Sequence, residues 1–187
     1  MGAESFLHYP YLLVPLAIGI VLILLIAWLV LRLHGDSRRR LEKVLRRGAA
    51  EQLRNVVIPD GIGGEIHLER LLLTGAGALV LEFHDVSGTI FAGDRLEEWV
   101  VINRDGRYTF RNPLGPLQDR VTAVRLLAPE LPVEGRIVFS DAGRFPKGMP
   151  AQVSLLRDLA LPVESPDESY REAWESLTSQ ASQLESK

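Results

Sequence analysis

The hydrophobic and polar positions fall into three successive patterns. From Tyr9 to Leu31 the chain reads YPYLLVPLAIGIVLILLIAWLVL, without a charged residue. A run of this length can cross a hydrocarbon core of about 30 Å as a helix, and it lacks the polar face of a surface helix. A transmembrane helix is therefore expected over 9–33, preceded by a short extracytoplasmic tail, 1–8. Pro10 and Pro15 lie near its start, where a helix tolerates them best, and Tyr9, Tyr11 and Trp28 suit the interfacial ends. A cleaved signal peptide is the weaker reading. MGAESFLH holds Glu4 and no Lys or Arg, the apolar run is too long, and no small-x-small cleavage site follows it.

The second pattern is a basic helix over 34–52, and the third, from 53 to 162, is a series of short extended runs with two helices. Val56–Pro59 is the first candidate strand, followed by the glycine-rich turn PDGIGG. Leu68–Thr74 and Ala78–His84 read as a hairpin around Thr74-Gly75-Ala76-Gly77. Both strands are apolar on two faces, which points to a covered sheet in an α/β layer architecture. Further strands are expected at Thr89–Phe91, Glu98–Ile102, Tyr108–Arg111 and Arg136–Ser140. A helix opened by Pro116 and closed by Pro129 carries Leu117, Val121 and Val124 at helical spacing. Ala151–Leu161 reads as a short helix with Val153, Leu156 and Leu159 turned inward. An acidic C-terminal helix or tail, 163–187, starts at the capping box Ser165-Pro166-Asp167-Glu168 and bears the stripe Tyr170, Trp174, Leu177, Ala181, Leu184. That stripe suits docking on the domain or on a protein partner.

Charge adds an orientation. No Lys or Arg precedes the apolar run, whereas Arg32, Arg38, Arg39, Arg40, Lys43, Arg46 and Arg47 follow it. The positive-inside rule places the N-terminus outside and the C-terminal domain on the cytoplasmic side of a single-pass protein. Arg38, Arg39, Arg40, Lys43, Arg46 and Arg47 could also hold anionic lipid headgroups. The net charge of −3 gives no bulk argument for nucleic acid, and the absence of cysteine excludes disulfides and thiolate metal sites.

Candidate chemistry sits on the hairpin, where His67 and Glu69 interrupt one apolar strand and Glu82 and His84 the other. A two-residue loop, Gly75-Ala76, sets a register that puts Glu69 opposite Glu82 and His67 opposite His84, all on one face. Opposed carboxylates repel unless one is protonated or a cation lies between them. Mg²⁺ or Mn²⁺ suits two carboxylates, and the imidazoles shift the preference toward Mn²⁺, Zn²⁺ or Fe²⁺. The alternative is that the glutamates are hydrated, or paired to Arg70, Arg95 or Arg107.

These residues lie within a longer resemblance. Leu53-Arg54-Asn55-Val56-Val57-Ile58-Pro59, Leu68-Glu69, Leu81-Glu82-Phe83-His84-Asp85-Val86-Ser87-Gly88-Thr89-Ile90, Trp99 and Phe110-Arg111-Asn112-Pro113-Leu114 with Gln118 follow in the order of the nuclease-related domain (NERD) family. That family is a branch of the PD-(D/E)XK nuclease-like fold. The resemblance implies a restriction-endonuclease-like mixed central sheet flanked by helices, here preceded by one transmembrane helix. In active members of the wider fold, an acid on one strand and the Glu of an E-x-K motif bind Mg²⁺, and the lysine assists the attacking water. By position these become Glu69, Glu82 and His84. Glutamate for aspartate lengthens the ligand, and histidine replaces a fixed cation. Gly48-Ala49-Ala50-Glu51 is a shortened form of the family's G-x-x-G-E helix.

Three readings follow. One is a degenerate, inactive module that binds DNA, RNA or a protein partner beneath the membrane. The second is an active metal-dependent nuclease with Glu69, Glu82, His67 and His84 around Mg²⁺ or Mn²⁺. The third is a membrane scaffold using its C-terminal helix.

Overall fold

The computed structural model describes residues 10–162 and 164–183. The chain divides into two compact units after Arg39. In chain order the elements are helix α1 (Pro10–Gly48), strands β1 (Glu51–Pro59), β2 (Glu65–Thr74), β3 (Gly77–His84), β4 (Gly88–Phe91), β5 (Glu98–Asn103) and β6 (Gly106–Arg111), and helix α2 (Leu114–Leu127). Then follow β7 (Val133–Phe139), β8 (Gly143–Arg144), β9 (Val153–Leu155), a 3-10 turn (Leu156–Asp158), helix α3 (Glu168–Ser179) and β10 (Ser182–Gln183).

α1 is a continuous helix of 39 residues. In its apolar stretch the described side chains are those of residues 18–26 and 28, and the large aliphatic ones, Ile18 and Ile20 to Ile26, are 50% to 66% exposed. Among the described residues, no helix is long and apolar enough to cross a membrane. The described part of the expected span is shorter than the roughly 20 apolar residues that a crossing needs. The other side chains of that span, and the tail 1–8, lie outside the described residues. The basic helix expected to reach residue 52 ends at Gly48, because Glu51 already belongs to β1.

The second unit is built on a six-stranded mixed sheet, ordered β10-β1-β2-β3-β7-β9. β1, β2 and β3 are antiparallel, whereas β7 runs parallel to β3, and β9 parallel to β7. A parallel neighbour requires a crossover, and α2 lies within it. One face of the sheet carries the main core with Trp99, Phe139, Trp174 and the inward stripe of α2. The other is covered by Leu41 and Leu45, from the last turns of α1, packed with Leu72, Leu81, Val138 and Leu156. The expectation of a sheet covered on both faces is thus met. A second sheet, β6-β5-β4-β8, was not expected as a separate layer; it packs Ile90, Trp99 and Val101 onto the main core.

Two segments differ from the sequence pattern. Ala151–Leu161 forms β9 and a 3-10 turn, because Val153, Ser154 and Leu155 pair with Ile137, Val138 and Phe139 in a parallel ladder that local spacing cannot reveal. The C-terminal helix begins with Asp167 as its cap residue, without a side-chain capping bond, and stops at Ser179. β10 then pairs with Val56 and Val57 at the sheet edge. Trp174 and Leu177 are fully buried in the main core. The apolar stripe of α3 therefore packs on its own domain, while Leu184 lies outside the described residues.

Candidate functional site: a glutamate paired with an arginine

The β2–β3 hairpin turns through Gly75-Ala76, and its ladder runs from Thr74–Gly77 to Arg70–Leu81, in the register that a two-residue loop dictates. Gly77 is required there: its φ is +117°, and a Cβ would lie 2.3 Å from the Pro132 carbonyl oxygen.

The expected register ends one residue short of the chemistry. On β1, Asn55 has φ 49°, and neither Asn55 nor its neighbour across the strand, Glu69, has a partner in the β1–β2 ladder. The irregularity changes which alternate residues face the core, from Leu71 and Leu73 on one side of it to Ile66 and Leu68 on the other. Beyond it β3 leaves β2 and continues against β7, with Glu82 paired to Ile137 and His84 to Phe139. Glu69 Oε2 accepts the Phe83 N–H at 3.0 Å, standing in for the carbonyl that the ladder would have supplied. Glu69 and Glu82 are therefore not a facing pair. His67 is exposed and contributes its backbone carbonyl alone.

Glu82 has a different neighbour. Arg120, from α2, donates from Nη1 to Glu82 Oε1 at 2.7 Å and from Nε to the His67 carbonyl at 2.7 Å. The second carboxylate oxygen of Glu82 lies 3.6 Å from His84 Nε2. The side chains of Glu82, Arg120 and His84 are 13%, 23% and 27% exposed, so the group is partly sheltered from water. The His84 ring stacks on Phe139 and Phe110, with centroids 5.1 and 6.1 Å away.

Arg120 is a residue that sequence reasoning missed, and a signal for it exists. Leu117, Arg120, Val121 and Val124 stand at i, i+3, i+4 and i+7, so the arginine lies within the inward stripe of the helix. A cation in that stripe needs a buried acceptor. Gly135 on β7 lets α2 approach, since a Cβ there would lie 2.7 Å from Val121 Cγ2.

Glu42 was missed in the same way. It is the one acid between Arg38 and Arg47, flanked by the buried Leu41 and Leu45. Its carboxylate accepts from Arg70 Nη2 at 2.6 Å and from Arg54 Nη2. Arg70 is thus engaged by Glu42, not by Glu69 or Glu82. Glu51 accepts from Trp174 Nε1 at 2.8 Å and fixes α3 to the start of β1.

A family model described as nuclease-related domain matches residues 36–140, more than half of the chain. The chain belongs to the nuclease-related domain family. No curated protein and no solved structure matches it. Several motif residues of this nuclease-related domain are structural here. Trp99 is fully buried and donates from Nε1 to the Gly93 carbonyl at 3.1 Å. Asn112 donates from Nδ2 to the Leu96 carbonyl at 2.7 Å and accepts the Leu114 N–H at 3.0 Å, which holds the preceding loop and starts α2. Gln118 lines a shallow cleft with Arg125 and Arg136.

The family is compatible with divalent metal use, which makes the donor set the test. Among the described residues, no group of three or more His, Cys, Asp or Glu side chains is arranged to hold a metal ion. Glu69 is committed to a backbone N–H, and Glu82 faces a guanidinium, which would compete with any cation at the same oxygen. The arrangement of Glu69, Glu82, His67 and His84 does not fit a Mg²⁺ or Mn²⁺ site.

Proposed function

We propose that this protein is a membrane-anchored, non-cleaving member of the nuclease-related domain family, working as a binding module for a nucleic acid or protein at the inner face of a membrane. The observation that carries the reading is the Arg120–Glu82 pair at 2.7 Å. It gives Glu82 an internal cation. In metal-dependent hydrolysis, that charge would come from the ion that polarises the phosphate and activates water. Here the guanidinium is fixed in a fork with the His67 carbonyl, and it supplies neither an open coordination position nor a base. His84, in the position of the family's lysine, rests on two phenyl rings with its Nε2 toward Glu82.

Anchoring rests on the uncharged run Tyr9–Leu31 and on the run of Arg and Lys that begins only at Arg32. Its test is carbonate extraction, with orientation read from single cysteines placed at Ser5 and Glu175 in the cysteine-free chain. An impermeant maleimide added to intact cells should label the Ser5→Cys protein. Labelling of Glu175→Cys instead would reverse the orientation.

The non-cleaving reading is tested on the full chain in detergent, with single-stranded, double-stranded and supercoiled DNA and with RNA, each with Mg²⁺ and Mn²⁺. No cleavage is expected. Metal-dependent cleavage that disappears in Glu82→Gln would establish the competing reading of an active nuclease.

A further inference from the structure

The outward face of the small sheet has a charge and shape that the fold does not require. Ile90, Trp99 and Val101 point into the core, so their alternates point away. One row across the four strands reads Arg107, Ile102, Thr89, Arg144. In the next, Val100 pairs with Phe91, and Lys147 stands over the Phe91 ring at 5.7 Å. At the far end Arg111 pairs across strands with Glu98. Four cations therefore flank a centre of Thr89, Phe91, Val100 and Ile102, in which Ile102 is 46% exposed, and Glu98 is the acid within these rows. Among the described residues none of these four cations makes an ion pair within 4.0 Å. This local excess stands out in a chain whose net charge is −3.

We propose that this face docks on an acidic lipid surface, with Arg107, Arg144, Lys147 and Arg111 at the headgroups and Ile102 at the level of the acyl boundary. The inference rests on the membrane anchoring proposed above, which would hold the domain at high effective concentration near headgroups. Charge complementarity selects an anionic partner, and the centre of the face selects among anions. Nucleic-acid platforms on sheets present aromatic rings on which bases stack. Here the exposed apolar side chain of the centre, Ile102, is aliphatic, and the ring on the face, Phe91, is only partly exposed and capped by Lys147. Cations around protruding aliphatic side chains match a headgroup layer over hydrocarbon. Each cation near such a surface shifts the docked-to-free ratio by about fivefold.

The absence of cysteine makes a direct test possible. The full chain carrying Thr109→Cys, labelled with an environment-sensitive fluorophore, is placed in nanodiscs of phosphatidylcholine alone or with phosphatidylglycerol. Glu130→Cys, in the exposed turn after α2, is the control. Entry into discs is read separately by size exclusion. The expected result is a blue shift and quenching by headgroup nitroxides at residue 109 in the acidic discs, absent in neutral discs and at residue 130. The Arg107→Gln/Arg144→Gln pair should reduce the docked-to-free ratio by about 25-fold. A residue 109 signal equal to the control in acidic discs, with the chain incorporated, overturns the docking proposal and leaves the anchor intact. A chain that stays out of the discs overturns the anchor and the tethered docking with it. A shift produced by single-stranded RNA and not by acidic lipid would assign the face to nucleic acid.

Discussion

The two faces of the six-stranded sheet are closed by the same device with opposite polarity. On one, the last turns of α1 bury Leu41 and Leu45 and reach across with a carboxylate, Glu42, to two arginines on the strands, Arg54 and Arg70. On the other, α2 buries Leu117, Val121 and Val124 and reaches across with a guanidinium, Arg120, to a carboxylate on a strand, Glu82. In both, apolar helix turns flank one charge that meets its counterion at the sheet. The comparison changes the meaning of the polar residues inside the strands. Glu82 and Arg70 break apolar runs because each receives a charge from a covering helix.

The clamps differ in what they leave over. Glu42 satisfies Arg70 at Nη2 alone, while Arg70 Nε and Nη1 are buried without a partner among the described residues. Arg120 engages two of its nitrogens, Nη1 on Glu82 and Nε on the His67 carbonyl. Removing Glu42 should therefore be the costlier lesion. Glu42→Ala is expected to destabilise the domain by roughly 3 kcal/mol, since Arg70 would stay sheltered with no counterion. Denaturant unfolding followed by tryptophan fluorescence would measure it. Replacing both partners, Glu42→Leu with Arg70→Met, should recover most of that loss. If the double variant is as unstable as the single one, the clamp is not the source of the cost.

Arg120→Ala should follow, at about 2 kcal/mol, because it strips one charge, Glu82, of its partner, whereas Glu42→Ala strips two, Arg54 and Arg70. A double-mutant cycle of Arg120→Ala with Glu82→Gln should return a coupling of about 1 kcal/mol. A coupling near zero would mean that the pair is geometric only. Smaller still is Trp174→Phe, which keeps a ring in the core and removes the bond to Glu51. It should cost about 1 kcal/mol in the same unfolding measurement.

Much of this architecture was legible from residue order. The hairpin register followed from two loop residues, and the covering of both sheet faces followed from strands apolar on two sides. α2 followed from Pro116, Pro129 and a helical stripe between them, although it opens two residues before Pro116, at Leu114. What was not legible depends on partners distant in sequence. The left-handed Asn55 lies on β1, and it interrupts the β1–β2 ladder opposite Glu69, which no reading of the β2–β3 loop could show. Val153–Leu155 has helix-like apolar spacing in isolation and becomes a strand because β7 offers an open edge. Arg120 and Glu42 entered no candidate set, although each sits beside buried residues at helical spacing. The second sheet was visible as three strands, but its separation required the break at Asp85–Ser87.

The identity of the cation beside Glu82 decides between a module and a metalloenzyme. Calorimetric titration of Mn²⁺ into the full chain in detergent reads that identity. The wild type should give no binding heat beyond dilution, as should Glu69→Gln and Glu82→Gln. Stoichiometric Mn²⁺ binding by the wild type that is lost in Glu82→Gln would contradict the internal ion pair as the occupant of this site.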